Sequence, residues 1–291
     1  IPYISRCGCL AALLRNKSAR SILNAFMNIV LFSENDGCFF PAGDPRARHI
    51  RTVLKKKEGD TFEAGIENGK AGTARIIRSD ETGVRFEFTP LSDGKKPYPL
   101  DLIVGFVRPI QLKRLFRDAA GLGVSRILLC GTETGEKSYM ESKIVERGAA
   151  YEALKEGIMQ AKSTHIPKLE LFPSVKSCLG ALHGEERNLP ETARHCAHRY
   201  INAALDNVKP DESLSSYIRR ELAAAAAKGL FEEYPFRIRA AIGSERGWTD
   251  NERSLFKQSG FTLCGMGERV LRTETAATTA AAIILNALGV L

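Results

Sequence analysis

From residue 98 to the C-terminus, short apolar runs alternate with amphipathic stretches, and this order constrains the fold more than any other feature. Such alternation is typical of an α/β domain with a parallel sheet, because each helix carries the chain back to begin the next strand. We predict strands at 101–107, 125–130, 169–172, 199–205, 236–242 and 261–264, and helices at 109–122, 140–162, from Ser174 onward, 213–228, 249–258 and 273–288. The last helix is rich in alanine and carries little charge, so we expect it to be buried on more than one side.

Residues 27–97 follow a different pattern, in which short stretches alternate apolar and polar side chains. The pattern predicts a small β-barrel with strands at 28–32, 38–40, 61–66, 72–77 and 84–88. One helix interrupts the strands at 45–54, with Asp44 as the N-cap and Pro45 in the first turn. Pro97 and Pro99 follow a polar stretch and mark a boundary. We therefore predict two domains, at 27–97 and 98–291.

Residues 1–26 contain no acidic residue and carry Arg6, Arg15, Lys17 and Arg20. This composition is similar to that of an organelle-targeting peptide. Met27, however, stands directly before the first predicted strand. We favour an N-terminal extension outside the fold over a working targeting signal.

The balance of charges favours a polyanionic partner, with nucleic acid ahead of a membrane surface. The net charge is +8 and the pI is near 9.1. No apolar run approaches the roughly 18–20 residues that a membrane-spanning helix needs. The densest basic segment supplies the predicted RNA-binding residues Arg46, Arg48, His49, Arg51, Lys55 and Lys56. The alternative for this segment is a helix face that is simply solvated.

The cysteines do not indicate a metal site. Seven are scattered along the chain, and none forms the paired C-x-x-C spacing of a zinc site. The tract from His195 to His198 includes Cys196 but lacks a second pair of ligands. We predict no metal and reduced thiols in a cytoplasmic protein.

Two glycine-bearing turns near the C-terminus each follow an apolar run and lead into a helix. They read Ile242-Gly-Ser-Glu-Arg-Gly-Trp248 and Cys264-Gly-Met-Gly-Glu-Arg-Val-Leu-Arg272. Glycine lets the backbone approach a ligand closely, so the turns favour a small-molecule site. The alternative is a pair of ordinary strand–helix connections. A dinucleotide fingerprint is weak here, because Gly265-Met-Gly267 lacks the third glycine and lies far from the first strand.

These residues resemble a known family. The stretch 242–249 is similar to the I-G-P-E-G-G-[FLW]-[ST] loop of the 16S ribosomal RNA (uridine-N3) methyltransferases of the SPOUT superfamily. The stretch 266–276 resembles their L-G-x-R-[VI]-L-R-x-E-T-A signature, and 48–60 resembles their N-terminal R-H-[IL]-x-x-V-L-R-x-x-x-G-D. The resemblance covers about residues 27–291. Ser244 and Arg246 depart from it, since the family has proline and glycine there.

The resemblance implies a PUA-like β-barrel followed by an α/β-knot methyltransferase domain that binds S-adenosylmethionine and forms a homodimer. The expected substrate is uridine N3 in 16S ribosomal RNA of the small subunit. Another RNA site for a SPOUT methyltransferase, and a non-catalytic RNA-binding protein, remain as alternatives. The implied cofactor-binding residues are Ile242, Gly243, Glu245, Gly247, Met266, Gly267, Leu271 and Arg272.

Methylation at N3 requires the loss of a proton and stabilisation of a uridine anion. Arg269 and Arg272 are the candidates for stabilising that charge. Glu245 or Glu274 is expected to act as the base or as a structural anchor. Glu274 and Arg272 pairing only with each other is the structural alternative.

Overall fold

The computed structural model describes residues 29–188, 200–227 and 236–291. It divides into two compact units. One contains the described residues up to 96 together with 158–165, and the other contains the described residues of 97–157 and 166–291. The N-terminal extension predicted at 1–26 and the tract 195–198 lie outside the described residues.

The first unit is built on a five-stranded sheet. Its strands are β1 (Val30–Phe32), β2 (Phe39–Pro41), β3 (Thr61–Ile66), β4 (Ala71–Asp80) and β5 (Gly83–Ser92). The strand order is β1-β3-β4-β5-β2, with β1 parallel to β3 and the remaining pairs antiparallel. Phenylalanine rings from four of these strands meet edge-to-face or tilted around Phe86, and they form an apolar core.

Helix α1 (Pro45–Arg48) lies between β2 and β3 and continues as a π-helical turn at His49–Val53. Asp44 caps the helix, because its Oδ1 accepts a hydrogen bond from the Arg46 backbone N–H at 2.7 Å. The predicted N-cap is therefore confirmed. Ala47 and Ile50 on this segment are buried, which attaches it to the core of the unit.

The second unit contains a parallel sheet of seven strands in the order β10-β12-β9-β11-β6-β7-β8. The strands are β6 (Leu100–Gly105), β7 (Arg126–Cys130), β8 (Lys168–Phe172), β9 (Tyr200–Leu205), β10 (Glu212–Ser213), β11 (Arg237–Ile242) and β12 (Thr262–Gly265). The helices are α2 (Pro109–Gly121), α3 (Arg147–Gln160), α4 (Val175–Arg187), α5 (Leu214–Ala227), α6 (Asp250–Gln258) and α7 (Thr273–Ala287). Each predicted strand of this part of the chain is present.

One predicted helix is wrong in its extent. The helix expected at 140–162 begins only at Arg147, and two short 3-10 turns, Lys137–Glu141 and Lys143–Val145, precede it. Ser142 and Glu146 have ψ values of 146° and 136°, which breaks the helical backbone between these turns. The helical sequence pattern at 140–162 is continuous, so it did not reveal those interruptions.

Helix α7 confirms the prediction of burial on several sides. It packs against α2 and α5 and against strands β6 and β11. Its buried residues are Thr273, Ala276, Ala277, Ala280, Ala281, Ile284 and Leu285. Among the described residues, no helix combines the length and the apolar character that a bilayer crossing requires.

Candidate active site

A cavity of about 730 Å³ lies at the carboxyl ends of the central strands of the parallel sheet. Loops after β6, β9, β11 and β12 surround it, and such strand ends are the usual ligand site of open α/β sheets. The structure brings every predicted cofactor-binding and catalytic residue to this cavity. They are Ile242, Gly243, Glu245, Gly247, Met266, Gly267, Arg269, Leu271, Arg272 and Glu274.

The loop after β11 is a tight turn pressed against the end of β6. The Gly247 N–H donates to the Ser244 carbonyl at 2.9 Å, and Gly247 has a φ of +69°, which favours glycine. A Cβ atom on Gly105 would lie 2.5 Å from the Ser244 nitrogen. Only glycine at position 105 therefore permits this close approach.

Ser244, which replaces the family's proline, is buried within the loop. The Thr132 Oγ1 donates a hydrogen bond to the Ser244 Oγ at 2.9 Å. This bond fixes the loop to the segment after β7.

Trp248 anchors the end of the same loop. Its indole Nε1 donates to the Leu205 carbonyl at 2.9 Å, and its ring packs edge-on against Phe256. Thr249 then caps helix α6, since its Oγ1 accepts from the Glu252 backbone N–H at 3.1 Å. The cap and the buried indole fix where the loop ends and the helix begins.

The second loop joins β12 to α7 and is connected to the first loop. The Thr273 Oγ1 donates to the Gly243 carbonyl at 3.1 Å, and both atoms are buried. Gly267 has a φ of +102°, and a Cβ added at Gly267 or Gly247 would meet no heavy atom within 4 Å. The two loops therefore form one continuous lining and leave open space beside their glycines.

Charged side chains at the cavity are mostly exposed. The Arg108 Nε lies 3.4 Å from the Glu245 Oε1. A hydrogen bond with Tyr139 and the charge of Glu245 together raise the pKa of Arg108. Arg272 and Glu274, both within the described part of the chain, do not form an ion pair with each other. The structural alternative of a closed Arg272–Glu274 pair is therefore absent from this arrangement.

Sequence reasoning missed one side of the cavity. The missed residues are Arg108, Gln111, Leu205, Asp206, Asn207 and Val208. The available signal was the polar stretch that follows the strand predicted at 199–205, because strand ends of a parallel sheet converge on one edge.

Asp206 organises that missed side. Its Oδ1 accepts hydrogen bonds from the backbone N–H groups of Val208 and Lys209, each at 2.7 Å, and its Oδ2 accepts from the Arg253 Nε at 2.6 Å. Burial acts to raise the pKa of Asp206, but these donors outweigh it and hold the pKa below its ordinary value. The carboxylate is thus fully used in fixing the loop.

The predicted RNA-binding residues share one segment of the first unit, but two of them are held in internal contacts. The Arg46 guanidinium bonds to Asp36 and Asp44 and lies 4.1 Å from the centre of the Phe40 ring. The Arg51 Nη2 donates to the backbone carbonyls of Asp80 and Gly83. These contacts give both guanidinium groups partners inside the unit, and a phosphate contact by either residue stays a prediction.

The other four residues differ in exposure. Arg48 and Lys55 are exposed, and Lys56 is half-buried. His49 is half-buried, and burial lowers the pKa of its ring, which favours the neutral form. Of these four predicted residues, Arg48, Lys55 and Lys56 are therefore the cations that can meet a phosphate.

The chain shares its fold with solved structures of ribosomal RNA methyltransferases. A solved ribosomal RNA small subunit methyltransferase E from Neisseria gonorrhoeae, bound to S-adenosyl methionine, shares the fold with a TM-score of 0.65 and 19% identity, over 89% of this chain and 97% of that one. A probable rRNA-methyltransferase from Porphyromonas gingivalis matches with a TM-score of 0.66 and 16% identity, over 90% and 99% of the two chains. The predicted fold class is confirmed.

The family follows from sequence comparison. A model described as an RNA methyltransferase domain matches residues 94–285, and one described as an RNA methyltransferase PUA domain matches 43–89. The ribosomal RNA small subunit methyltransferase E of Treponema pallidum is 38% identical over 265 residues, which are 89% of this chain and 91% of that protein. A Borreliella burgdorferi relative of the same description is 28% identical over 89% of this chain and 97% of its own. The chain belongs to the RNA methyltransferase family, as the resemblance predicted.

Proposed function

We propose that this protein transfers a methyl group from S-adenosylmethionine to N3 of a uridine in 16S ribosomal RNA of the small subunit. The observation that carries the proposal is the pair of glycine loops, joined by the Thr273–Gly243 hydrogen bond, that line one cavity. The names of the relatives support the class of RNA. The identity of the methylated atom rests on the resemblance of the loop signatures.

The residues at the cavity fit the cofactor. Its volume falls within the range of about 300–1,000 Å³ that is usual for small-molecule sites. Ile242, Met266 and Leu271 supply apolar surface, while the open space beside Gly247 and Gly267 lets a ligand approach the backbone. We propose that these residues hold the adenosyl group together with Gly243, Glu245 and the backbone of Arg272. The cofactor supplies an electrophilic methyl group when bound.

The cationic side chains explain how the chain would promote attack by N3. Uridine N3 becomes nucleophilic only after it loses its proton, which leaves negative charge on the ring. Arg269 and Arg272 are exposed at the cavity and place positive charge where this anion forms. Glu274, half-buried and without an ion pair to Arg272, is the proposed acceptor of the proton, with Glu245 as the second candidate.

We further propose a division of labour between the predicted domains. Residues 27–97 bind RNA through Arg48, Lys55 and Lys56, and residues 98–291 carry the methyltransferase site. The family resemblance supports a homodimer. The free thiols of the described cysteines Cys38, Cys130, Cys178 and Cys264 are in keeping with action in the cytoplasm.

Titration calorimetry with S-adenosylmethionine tests the enzyme against a non-catalytic RNA-binding protein. We expect saturable binding, and an absence of binding at near-millimolar ligand would remove the support for an enzyme. Arg272→Ala should abolish methylation while most of the cofactor affinity survives. Glu268→Ala, on the same loop but outside the cavity lining, is the matched control and should keep both properties. Parallel loss of binding and methylation in Arg272→Ala would make Arg272 a structural residue.

The second candidate is methylation of another RNA site by the same chemistry. Arg246 favours it, because this exposed cation stands in the cavity loop where the family has glycine. Mapping the modified nucleotide by mass spectrometry of digested ribosomal RNA distinguishes the two candidates.

A further inference from the structure

The side chains that line the cavity carry more positive charge than binding of the proposed cofactor requires. Four arginines, Arg108, Arg246, Arg269 and Arg272, face three carboxylates, Asp206, Glu245 and Glu274. Asp206 already accepts hydrogen bonds from two backbone N–H groups and from the Arg253 side chain. Two carboxylates are left to balance four guanidinium groups.

S-adenosylmethionine cannot account for this excess. Its sulfonium centre is a cation, so it is repelled by neighbouring arginines, and its single carboxylate can pair with only one of them. Arg269 and Arg272 have a proposed role beside the uridine ring. Arg108 and Arg246 are the two cations for which the transfer reaction provides no partner.

Both of these arginines are placed to meet an outside ligand. The side chain of Arg108 is 64% exposed, and its Glu245 contact of 3.4 Å is long for an ion pair. Arg246 is exposed, and among the described residues its side chain makes one hydrogen bond and no ion pair; that bond, from Nη1 to the Thr134 carbonyl, is a marginal 3.5 Å. Exposed contacts of this kind are weak, and a stronger anion displaces them at little cost.

Glu245 lies next to Arg246 in the chain and touches Arg108, so the three side chains occupy one region of the cavity lining. Guanidinium groups bind phosphate oxygens with two parallel hydrogen bonds, which a carboxylate at 3.4 Å does not exploit. We propose that Arg108 and Arg246 bind backbone phosphates of the RNA beside the target nucleotide, and that Tyr139 and Glu245 hold Arg108 until the RNA arrives. This inference rests on the proposed function, because it takes RNA as the substrate.

Arg246 makes the site particular to this chain. The family loop has glycine at that position, so the additional phosphate contact is expected here and not in relatives that keep the glycine. A phosphate contact fixes the register of the strand without reading bases. Arg246 would therefore fix how the RNA strand is held at the cavity without itself reading the sequence of bases.

The salt dependence of RNA binding provides the test. We would measure the affinity of the full chain for transcribed 16S ribosomal RNA between about 50 and 200 mM salt, where each phosphate contact contributes about 0.7 to 0.9 to the slope of log K against log salt. Arg246→Ala should lower that slope by close to this amount and weaken binding several-fold at low salt. Arg246→Lys should retain most of the slope, since it keeps the charge. Arg219→Ala, which removes an exposed arginine on helix α5, is the matched control and should change neither quantity.

Two further variants test the pairing. Arg108→Ala should lower the slope in the same manner, whereas Glu245→Gln should steepen it and tighten binding, because it removes the carboxylate that competes with phosphate for Arg108. The inference is overturned if Arg246→Ala leaves the slope unchanged, or if Arg219→Ala lowers it equally. Calorimetry with S-adenosylmethionine should give the same affinity for Arg246→Ala as for the wild type, and a parallel loss would show a collapsed loop instead of a lost phosphate contact.

The RNA-binding readout needs no turnover, so it separates this inference from the proposed function. A wild-type chain that binds RNA through Arg246 but neither binds S-adenosylmethionine nor methylates RNA would refute the proposed function and leave the phosphate site intact. If the wild-type chain methylates 16S ribosomal RNA and Arg246→Ala leaves the salt slope unchanged, the phosphate site is refuted and the proposed function stands.

Discussion

Gly105→Ala tests whether the fit between strand β6 and the glycine loop builds the cavity. The new Cβ would lie 2.5 Å from the Ser244 nitrogen and 2.8 Å from the Thr132 Cγ2. The loop backbone would have to retreat by about 1 Å to restore ordinary contact distances. Overpacking of this kind costs about 1–3 kcal/mol, so we expect the free energy of unfolding to fall by about 2 kcal/mol.

The cofactor affinity should fall as well, because the displaced loop carries Gly243, Glu245 and Gly247. Misplacement by 1 Å can cost about 100-fold in a site that depends on positioning, and we expect at least a tenfold increase in the dissociation constant for S-adenosylmethionine. Titration calorimetry measures this constant. Urea unfolding followed by fluorescence measures stability in the second unit alone, since Trp248 is the only tryptophan of the chain and is buried there.

Gly180→Ala is the matched control for this experiment. Gly180 is exposed in the middle of helix α4, and a Cβ there would meet no heavy atom within 4 Å. Alanine should stabilise the helix by about 0.5–1 kcal/mol and leave cofactor binding unchanged. If Gly105→Ala matched Gly180→Ala in both stability and affinity, the close approach of β6 to the loop would not shape the site.

Three further predictions concern stability and reactivity. Asp206→Asn should lower the free energy of unfolding at neutral pH, as urea titrations would measure. Because the folded-state pKa of Asp206 lies below the ordinary value of 3.8, wild type and variant should become equally stable as the pH falls through that lower pKa. Burial raises the pKa of the Cys264 thiol to about 12, so Cys264 should resist iodoacetamide at pH 8 until urea unfolds the chain. Peptide mass spectrometry would show the label, and rapid labelling of the folded protein would contradict the burial of this thiol. Glu186→Ala should lower the free energy of unfolding by about 3 kcal/mol in the same fluorescence assay, because it leaves the buried Arg239 guanidinium without its carboxylate partner. An unchanged urea midpoint would mean that stacking of Arg239 on Tyr200 is enough to stabilise the buried charge.

Local signals predicted much of this fold. The cap at Asp44 could be identified because its side-chain oxygen acts within three residues of its own position. The alternation of strands and helices likewise indicated a parallel sheet. The assignment of residues 158–165 to the first unit could not be read in this way, because it depends on tertiary contacts such as the hydrogen bond from the Thr164 Oγ1 to the Gly69 carbonyl.

The residues of the candidate site differ in the same way, since some belong to a sequence motif and others are placed there only by the tertiary structure. The two glycine loops carried a motif, and the structure brought their residues to one cavity. Asp206 belongs to no sequence motif, and its position at the cavity follows from the place of β9 between β11 and β12 in the sheet. For Arg46 and Arg51, a run of basic residues did not reveal the partners that their guanidinium groups have inside the first unit.

The central claim is that this chain methylates N3 of a uridine in small-subunit ribosomal RNA. The direct measurement is to incubate the purified protein with S-adenosylmethionine and small ribosomal subunits from a strain that lacks the corresponding methyltransferase, and then to analyse the digested RNA by mass spectrometry. We predict one new N3-methyluridine at a single position, which Arg272→Ala fails to produce. A methyl group on another atom or another base, or no transfer by a protein that binds the cofactor, would contradict the account.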